Sequence, residues 1–242
     1  MTDNTVDNTV DALARRVVET FEAARDPVAA AGMSRYLRDQ FPFLGIASVP
    51  RVALLRQAVH GSARPTEQEV RDFCLTLWAR PEREYQYAAQ WYARRHVRVL
   101  GPGFLPTARE LLVTKSWWDT VDELAQNVVG DIVHRHRDLG AEMDRWIGDE
   151  DLWLRRSAIL HQNRWKADTD AEVLFRYCRR CAPEREFFIR KAIGWALREY
   201  SKTDGAAVRR FVADHQDELS NLSQTEALKC LDRAARGGRV AG

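Results

Sequence analysis

PEREYQYAA, residues 81–89, opens a segment whose pattern returns twice, as DEDLWLRRS at residues 149–157 and PEREFFIRK at residues 183–191. Each stretch begins with acidic residues and continues with large apolar ones. Placing Tyr85, Trp153 and Phe188 in register gives spacings of 68 and 35 residues, and Trp118 lies almost midway in the larger gap. A period of 34 to 35 residues predicts helix pairs that bury their apolar faces against their neighbours.

The segments between turn signals have helical periodicity. Residues 70–78, for example, place apolar side chains at Val70, Phe73, Cys74, Leu77 and Trp78, which is one face of a helix. Short Pro- and Gly-containing breaks separate about a dozen such segments, and strand-like alternation is absent. We therefore predict an all-α helical-repeat solenoid with a concave groove. It forms a single domain over residues 5–235, and residues 236–242 form a flexible tail.

Composition excludes several classes of protein. The chain of 242 residues has no apolar run of about 18 residues and an acidic rather than basic N-terminus, so we expect no membrane span and a cytoplasmic location. Its four cysteines include one close pair, Cys178 and Cys181. A structural zinc needs two further ligands. The pair is therefore interpreted as helix packing, and we expect no metal and no cofactor.

The basic residues are mostly arginine: five of the 37 are lysine, and 32 are arginine. Many of these arginines lie in the last ninety or so residues, whereas the segment before Asp26 is rich in acids. A basic C-terminal half favours a phosphate-rich partner such as nucleic acid. A solvated helix surface, or the codon usage of a GC-rich genome, remains an alternative explanation.

Candidate chemistry is concentrated in the segment TKSWWDTVDEL, residues 114–124. We predict that Ser116 caps the helix that follows it. Trp118 and Asp122 are four residues apart and lie on one face of that helix, whereas Trp117 belongs to the core-packing arc. Separately, Trp118 could be a core residue and Asp122 a surface charge. Together, an aromatic face and a carboxylate in a basic groove suit a cationic target.

Later repeats supply further groove residues. In the register of the repeats, Arg156 rather than Arg155 projects into the groove and is equivalent to Lys191 one unit later. Trp195 and Arg198 are three residues apart and share a helix face. Trp118, Arg156, Trp195 and Arg198 therefore predict stacking platforms beside phosphate-binding guanidinium groups.

The sequence resembles a known family over roughly residues 33–200. The similar motifs are RYL at 35–37, FPFLGI at 41–46, PERE at 81–84, VTKSWWD at 113–119, GDI at 130–132 and KAIGWALREY at 191–200. These motifs are similar to those of the AlkD-type bacterial DNA alkylation-repair glycosylases, which are HEAT-like helical solenoids. The resemblance implies a catalytic cluster of Trp118, Asp122 and Arg156, and DNA contacts near Arg164, Trp195 and Arg198; Lys115 is assigned to DNA binding with them.

One position departs from the family pattern. Relatives carry a polar glutamine facing the duplex after the residues matching 43–46, and this chain has Ala47. Our hypothesis is that the smaller side chain leaves room for a bulkier adduct or weakens the hold on the opposite strand.

The resemblance implies a monofunctional glycosylase that hydrolyses the N-glycosidic bond of cationic N3- or N7-alkylated purines in duplex DNA without enclosing the base. Asp122 would stabilise positive charge on the sugar, Trp118 would pack against that sugar, and Arg156 would hold a neighbouring phosphate. The expected partner is double-stranded DNA containing alkylated purines, bound by a monomer. A non-catalytic DNA-binding or scaffold protein, or a protein-binding HEAT module, is the alternative.

Overall fold

The computed structural model describes residues 9–237 and is all-α, as predicted. The helices are α1 (Val10–Ala23), α2 (Pro27–Tyr36), α3 (Ser48–Ala58), α4 (Glu67–Trp78), α5 (Arg83–Arg95), α6 (Leu105–Val113), α7 (Trp118–Leu124), α8 (Gly130–Arg135), α9 (Gly140–Trp146), α10 (Leu152–Leu160), α11 (Ala171–Cys181), α12 (Phe187–Tyr200), α13 (Gly205–Asp214) and α14 (Asn221–Gly237). No helix within residues 9–237 is long and apolar enough to cross a bilayer.

The turn signals of the sequence mark real helix ends. Asp26 and Asp204 act as N-caps of α2 and α13, because each side chain accepts hydrogen bonds from backbone N–H groups of the first turn. Pro50 lies inside the first turn of α3 rather than between helices, where a missing N–H costs nothing. α14 continues to Gly237, so residues 236 and 237 of the expected tail are helical, and residues 5–8 and 238–242 lie outside the described part of the chain.

The chain forms two compact units, one up to Thr107 and one from Ala108 onward. In the first unit, the apolar stripe of α4 is buried as its periodicity predicts, from Val70 to Trp78. Phe21 of α1 stacks on Tyr85 of α5 with ring centroids 5.9 Å apart. The single repeat domain expected over residues 5–235 stays a prediction.

A buried carboxylate organises the loop before α3. Glu84 is fully buried and accepts backbone N–H bonds from Leu44 (2.9 Å), Gly45 (2.9 Å) and Ile46 (3.1 Å). Gly45 has φ +94°, a backbone conformation that residues other than glycine rarely adopt. Glu84 therefore fixes the backbone that leads to Ala47.

The second unit shows the repeat in its helix starts. Trp118, Trp153 and Phe188 follow one another at intervals of 35 residues and occupy the first or second positions of α7, α10 and α12. A π-type turn over Ala125–Val129 joins α7 to α8, so residues 118–135 form one continuous helical segment. Helix α10 packs on α12, and α12 packs on α14.

Two glycines allow close approaches in this unit. A Cβ atom on Gly130 would lie 2.2 Å from the carbonyl oxygen of His161, and one on Gly194 would lie 2.5 Å from Cβ of Glu226. Since real Cβ atoms do not come so close, only glycine lets α12 and α14 pack at this distance. This contact brings Glu226 of α14 close to α12.

Candidate active site

The start of α7 differs from the sequence-based expectation. Ser116 is not the N-cap: Trp117 occupies that position, without a side-chain capping bond. The Ser116 hydroxyl instead donates to the carbonyl oxygen of Leu112 at 2.7 Å. It thereby satisfies one of the carbonyls left open at the end of α6, so this serine closes the preceding helix instead of opening the next one.

The two adjacent tryptophans have different roles. Trp117 packs in an aromatic cluster with Trp153 and Phe188, at centroid distances of 5.8 Å and 5.1 Å. Trp118 lines an open cleft together with Asp122. Val121 and Leu124 share the helix face of Trp117, and both are fully buried.

Asp122 and Arg156 form a two-pronged ion pair between successive repeats. Arg156 Nε donates to Oδ1 of Asp122 at 2.7 Å, and Nη2 donates to Oδ2 at 2.8 Å. Arg156 Nη1 donates to the carbonyl oxygen of Phe188. Arg156 is only 4% exposed. Because its guanidinium is buried and bonded on all three nitrogens, this geometry favours an orienting role over the phosphate contact expected from the sequence.

The charge state of Asp122 reflects two opposing influences. Burial raises the pKa of Asp122 above its ordinary value, and the hydrogen bonds and positive charge of Arg156 oppose that increase. Arg156 is thus the group that favours the ionised form of this buried carboxylate. Such a fixed negative charge in a partly dry cleft interacts more strongly with a cation than one in water.

The cleft around Asp122 has a volume of about 250 Å³. Its lining residues are Trp118, Asp122, Arg156, Phe187, Phe188, Lys191, Trp195, Arg198 and Glu226. The structure therefore brings together the predicted Trp118, Asp122, Arg156, Trp195 and Arg198. Phe187, at 55% exposed, is the most exposed aromatic of this group.

Glu226 is the functional candidate that sequence reasoning missed. Its carboxylate accepts hydrogen bonds from Lys191 Nζ at 2.8 Å and from Arg198 Nη1. The hydrogen bond from Lys191 is the main cause that lowers the pKa of Glu226. A signal existed: Glu226 follows Lys191 by 35 residues, just as Arg156 follows Asp122 by 34. The repeat period that located Arg156 could have located Glu226.

A second, larger cleft of about 670 Å³ lies beside the first. Trp195 lines both clefts, so its indole forms part of the wall between them. Arg164, a predicted DNA contact, lines the second cleft and not the cleft around Asp122.

The two remaining predicted DNA contacts, Lys115 and Ala47, line neither of these clefts. Lys115 lies in the turn between α6 and α7. Its φ of +52° is a backbone conformation that is unusual for residues other than glycine. Ala47, in the first unit, is the exposed N-cap residue of α3 and offers no side-chain capping bond. The hypothesis about adduct size at Ala47 stays a prediction.

The described residues offer no alternative metal centre, since no three His, Cys, Asp or Glu side chains among them are grouped as metal ligands. Cys178 and Cys181 are both buried, and burial raises the pKa of each thiol. The chemistry available in the Asp122 cleft is electrostatic: an oriented carboxylate next to two tryptophans, with cations that are themselves paired.

Comparison with known proteins identifies the family of the chain. Residues 17–231 match the model of a family described as DNA alkylation repair enzyme. A solved structure described as a predicted DNA alkylation repair enzyme from Enterococcus faecalis is 32% identical, with a TM-score of 0.79 over 85% of this chain and 95% of that one. No curated protein shows significant similarity to the chain. The family match covers most of the sequence and the structural match most of both chains, so this protein belongs to the DNA alkylation repair enzyme family.

Proposed function

We propose that the chain is a monofunctional DNA glycosylase, which hydrolyses the N-glycosidic bond of N3- or N7-alkylated purines in duplex DNA. The observation that carries this proposal is the Asp122–Arg156 pair, which holds a carboxylate in the cleft that Trp118 and Trp195 line. Family membership supports a role in alkylation repair. The reaction type and the lesion are our inference from the site.

The leaving group explains why a carboxylate is enough. A purine alkylated at N3 or N7 is cationic, so it takes the electron pair of the C1′–N bond as it leaves and becomes neutral without a proton from an acid. Positive charge then develops on the sugar. An oriented anion stabilises that charge in the transition state more than in the ground state.

In the proposed reaction, Asp122 faces the sugar and accepts a proton from the water that attacks C1′. The C1′–N bond breaks, a C1′–O bond forms, and the products are the free base and an abasic site in an intact strand. Trp118 and Trp195 offer their π faces to the cationic nucleotide. Arg156 acts as a positioning residue, because it fixes both oxygens of Asp122.

The cleft also contains an amine, Lys191, which matters for the monofunctional part of the proposal. Its Nζ is ion-paired with Glu226 at 2.8 Å, and a paired ammonium has no lone pair for attack on C1′. We therefore expect no Schiff-base intermediate and no strand cleavage. Incubation with a methylated duplex and borohydride should give no covalent protein–DNA adduct.

The decisive experiment measures base release from a duplex with a single 7-methylguanine. Wild-type protein should release the base, and Asp122→Asn should lower single-turnover release by roughly 10² or more, the scale of losing one well-placed electrostatic group. Asp144→Asn is the matched control, because Asp144 also pairs with an arginine, Arg176, but at an exposed site outside the cleft. Equal rates for wild type and Asp122→Asn would refute the assignment. A protein that binds the duplex but releases no base would be the non-catalytic alternative.

A further inference from the structure

Trp195 is the residue that the Asp122 cleft and the second cleft share. Its backbone is fixed by its neighbour Gly194, which packs so closely on α14 that a Cβ atom there would lie 2.5 Å from Cβ of Glu226. Its indole is not held by other rings. Within residues 9–237 no aromatic ring contacts it, whereas Trp117 contacts two. The contact of its N–H group therefore matters for the direction of the ring.

That N–H group donates to a carboxylate. Nε1 of Trp195 donates to Oε1 of Glu199 at 3.3 Å, and Nζ of Lys202 donates to the other oxygen of Glu199 at 2.5 Å. The three residues are four and three positions apart, so they lie on one side of α12 and of the turn that follows it. Glu199 lines the second cleft and not the Asp122 cleft. The carboxylate therefore meets the indole from the side of the second cleft.

This hydrogen bond contributes little to the fold. It joins two residues that are one turn apart on a single helix, and pairs of this kind add little to stability. The side chains of Glu199 and Lys202 are both partly exposed. A carboxylate on a surface that meets DNA also repels the phosphates. The presence of Glu199 therefore calls for a role that compensates for this repulsion, and its contact with Trp195 offers one.

A carboxylate at the N–H edge changes how an indole attracts a cation. The attraction between a cation and an aromatic face is electrostatic and depends on the negative potential of the face. A hydrogen bond to a charged acceptor is stronger than one to a neutral acceptor, and it polarises its donor. Negative charge at the edge of the ring therefore makes the face more attractive to a cation, and the same bond keeps the ring in one direction.

We propose that Glu199 is a positioning residue that acts through Trp195: it directs the indole and strengthens the attraction of its face for a positively charged nucleotide. This inference rests on the proposed function, because it takes a cationic alkylated nucleotide as the ligand of the Asp122 cleft. Glu199 itself does not touch that nucleotide. Lys202 offsets part of its charge and holds the carboxylate in place. The preference for a charged lesion then depends on a carboxylate outside the Asp122 cleft as well as on Asp122.

The test measures the preference for a positive charge with two duplexes whose target bases have the same shape. One duplex contains cationic 7-methylguanine and the other contains neutral 7-methyl-7-deazaguanine, both attached to 2′-fluoroarabinose so that the glycosidic bond resists hydrolysis. The ratio of the two affinities cancels any general change in DNA binding, such as that from the release of Lys202. Wild-type protein should favour the cationic duplex. Glu199→Gln keeps an acceptor but removes the charge, and it should lower the ratio roughly threefold, within the range of one cation–π contact.

Glu142→Gln is the matched control. Nε1 of Trp146 donates to Oε1 of Glu142 at 2.9 Å, again one turn apart on one helix, α9. Glu142 also pairs with a cation three residues later, Arg145, as Glu199 pairs with Lys202. Neither Trp146 nor Glu142 lines either of the two clefts. Glu142→Gln should therefore leave the affinity ratio unchanged.

Trp195→Phe shows whether Glu199 acts through the indole, because phenylalanine has no N–H group to donate. Glu199→Gln should lower the ratio in the wild-type background and have no further effect in the Trp195→Phe background. A wild-type ratio near one, an unchanged ratio in Glu199→Gln, or an equal loss in both backgrounds would overturn the inference.

Base release from the 7-methylguanine duplex is measured in parallel, so that the two proposals fail separately. A charge preference that depends on Glu199, without base release, refutes only the glycosylase proposal. Base release with a charge preference that Glu199→Gln leaves unchanged refutes only the role of Glu199.

Discussion

The two clefts that Trp195 lines both contain basic side chains but use their charges differently. In the Asp122 cleft, three cations are paired with two carboxylates, Asp122 and Glu226. In the neighbouring cleft, Arg164 and Lys166 have no carboxylate partner within the described range. A cation that is already neutralised contributes little to DNA affinity, and one that is unpaired contributes directly.

This difference separates two tasks within one unit of the chain. Reaction chemistry at a developing cation requires a negative charge held in a fixed place beside the reacting sugar. Affinity for DNA requires positive charge that is free to meet a phosphate. If both tasks shared one cleft, the binding cations would oppose the catalytic anion. Their separation by a few side chains resolves this conflict, and the following predictions test it.

The largest expected effect comes from breaking the Asp122–Arg156 pair. Arg156→Met should lower base release by roughly 10² and destabilise the protein by about 3 kcal/mol, because it leaves Asp122 buried and unpaired. Asp122→Asn combined with Arg156→Met should recover part of that stability, since no uncompensated charge remains. Urea unfolding of the four proteins measures this cycle. Additive losses in the double variant would show that the two side chains do not depend on each other.

The two tryptophans allow a second comparison, with a smaller effect. Trp118→Ala should reduce base release roughly tenfold, on the scale of a desolvated cation–π contact, with little loss of stability because its ring lines an open cleft. Trp117→Ala should instead cost about 3 kcal/mol of unfolding free energy, because it removes an aromatic from the cluster with Trp153 and Phe188. The reverse pattern in thermal melts and release assays would exchange the roles assigned to these neighbours.

The parts of the candidate site that follow a regular spacing in the sequence could be predicted, and the directions of its long side chains could not. The i, i+4 spacing placed Trp118 and Asp122 on one face, and the repeat period placed Arg156 opposite them. Both rules are periodic, so a single sequence reveals them. The direction of a long side chain is not periodic. Register alone could not show that Arg156 would bind both Asp122 and the Phe188 carbonyl.

Local capping was the least predictable feature. Serine before a helix is a common N-cap, yet Ser116 lies four residues after Leu112 and donates to its carbonyl. The same hydroxyl could serve either helix, and the length of α6 decided between them. The π-type turn over Ala125–Val129 and the left-handed Lys166 also have no composition signal, because both depend on packing against residues distant in sequence.

Glu226 tests whether DNA binding and base release depend on separate charges, because its substitution should change the two quantities in opposite directions. Glu226→Gln releases Lys191 and Arg198 from their shared partner, so DNA binding should tighten and its salt dependence should become steeper by about 0.9 to 1.8, one or two phosphates. Base release from the bound complex should fall roughly threefold to tenfold, because an added positive charge opposes the developing cation. Fluorescence anisotropy and single-turnover release measure the two quantities separately. Parallel changes in both would indicate that Glu226 acts only on folding.

The smallest effect is a shift in pH dependence, and it tests whether Asp122 must be ionised. Burial raises the pKa of Asp122, so base release should fall as the pH drops through a value above the ordinary aspartate pKa of about 3.9. Glu226→Gln removes a negative charge from the cleft, favours the ionised carboxylate and should move this acid limb to lower pH. Arg156→Lys replaces a two-pronged partner with a point charge and should move the acid limb to higher pH.

Asp144→Asn, outside the cleft, should not move the acid limb. Opposite shifts from two residues that line the cleft together with Asp122 would identify its carboxylate as the titrating group, whereas one common acid limb in all four proteins would assign the pH dependence to another group.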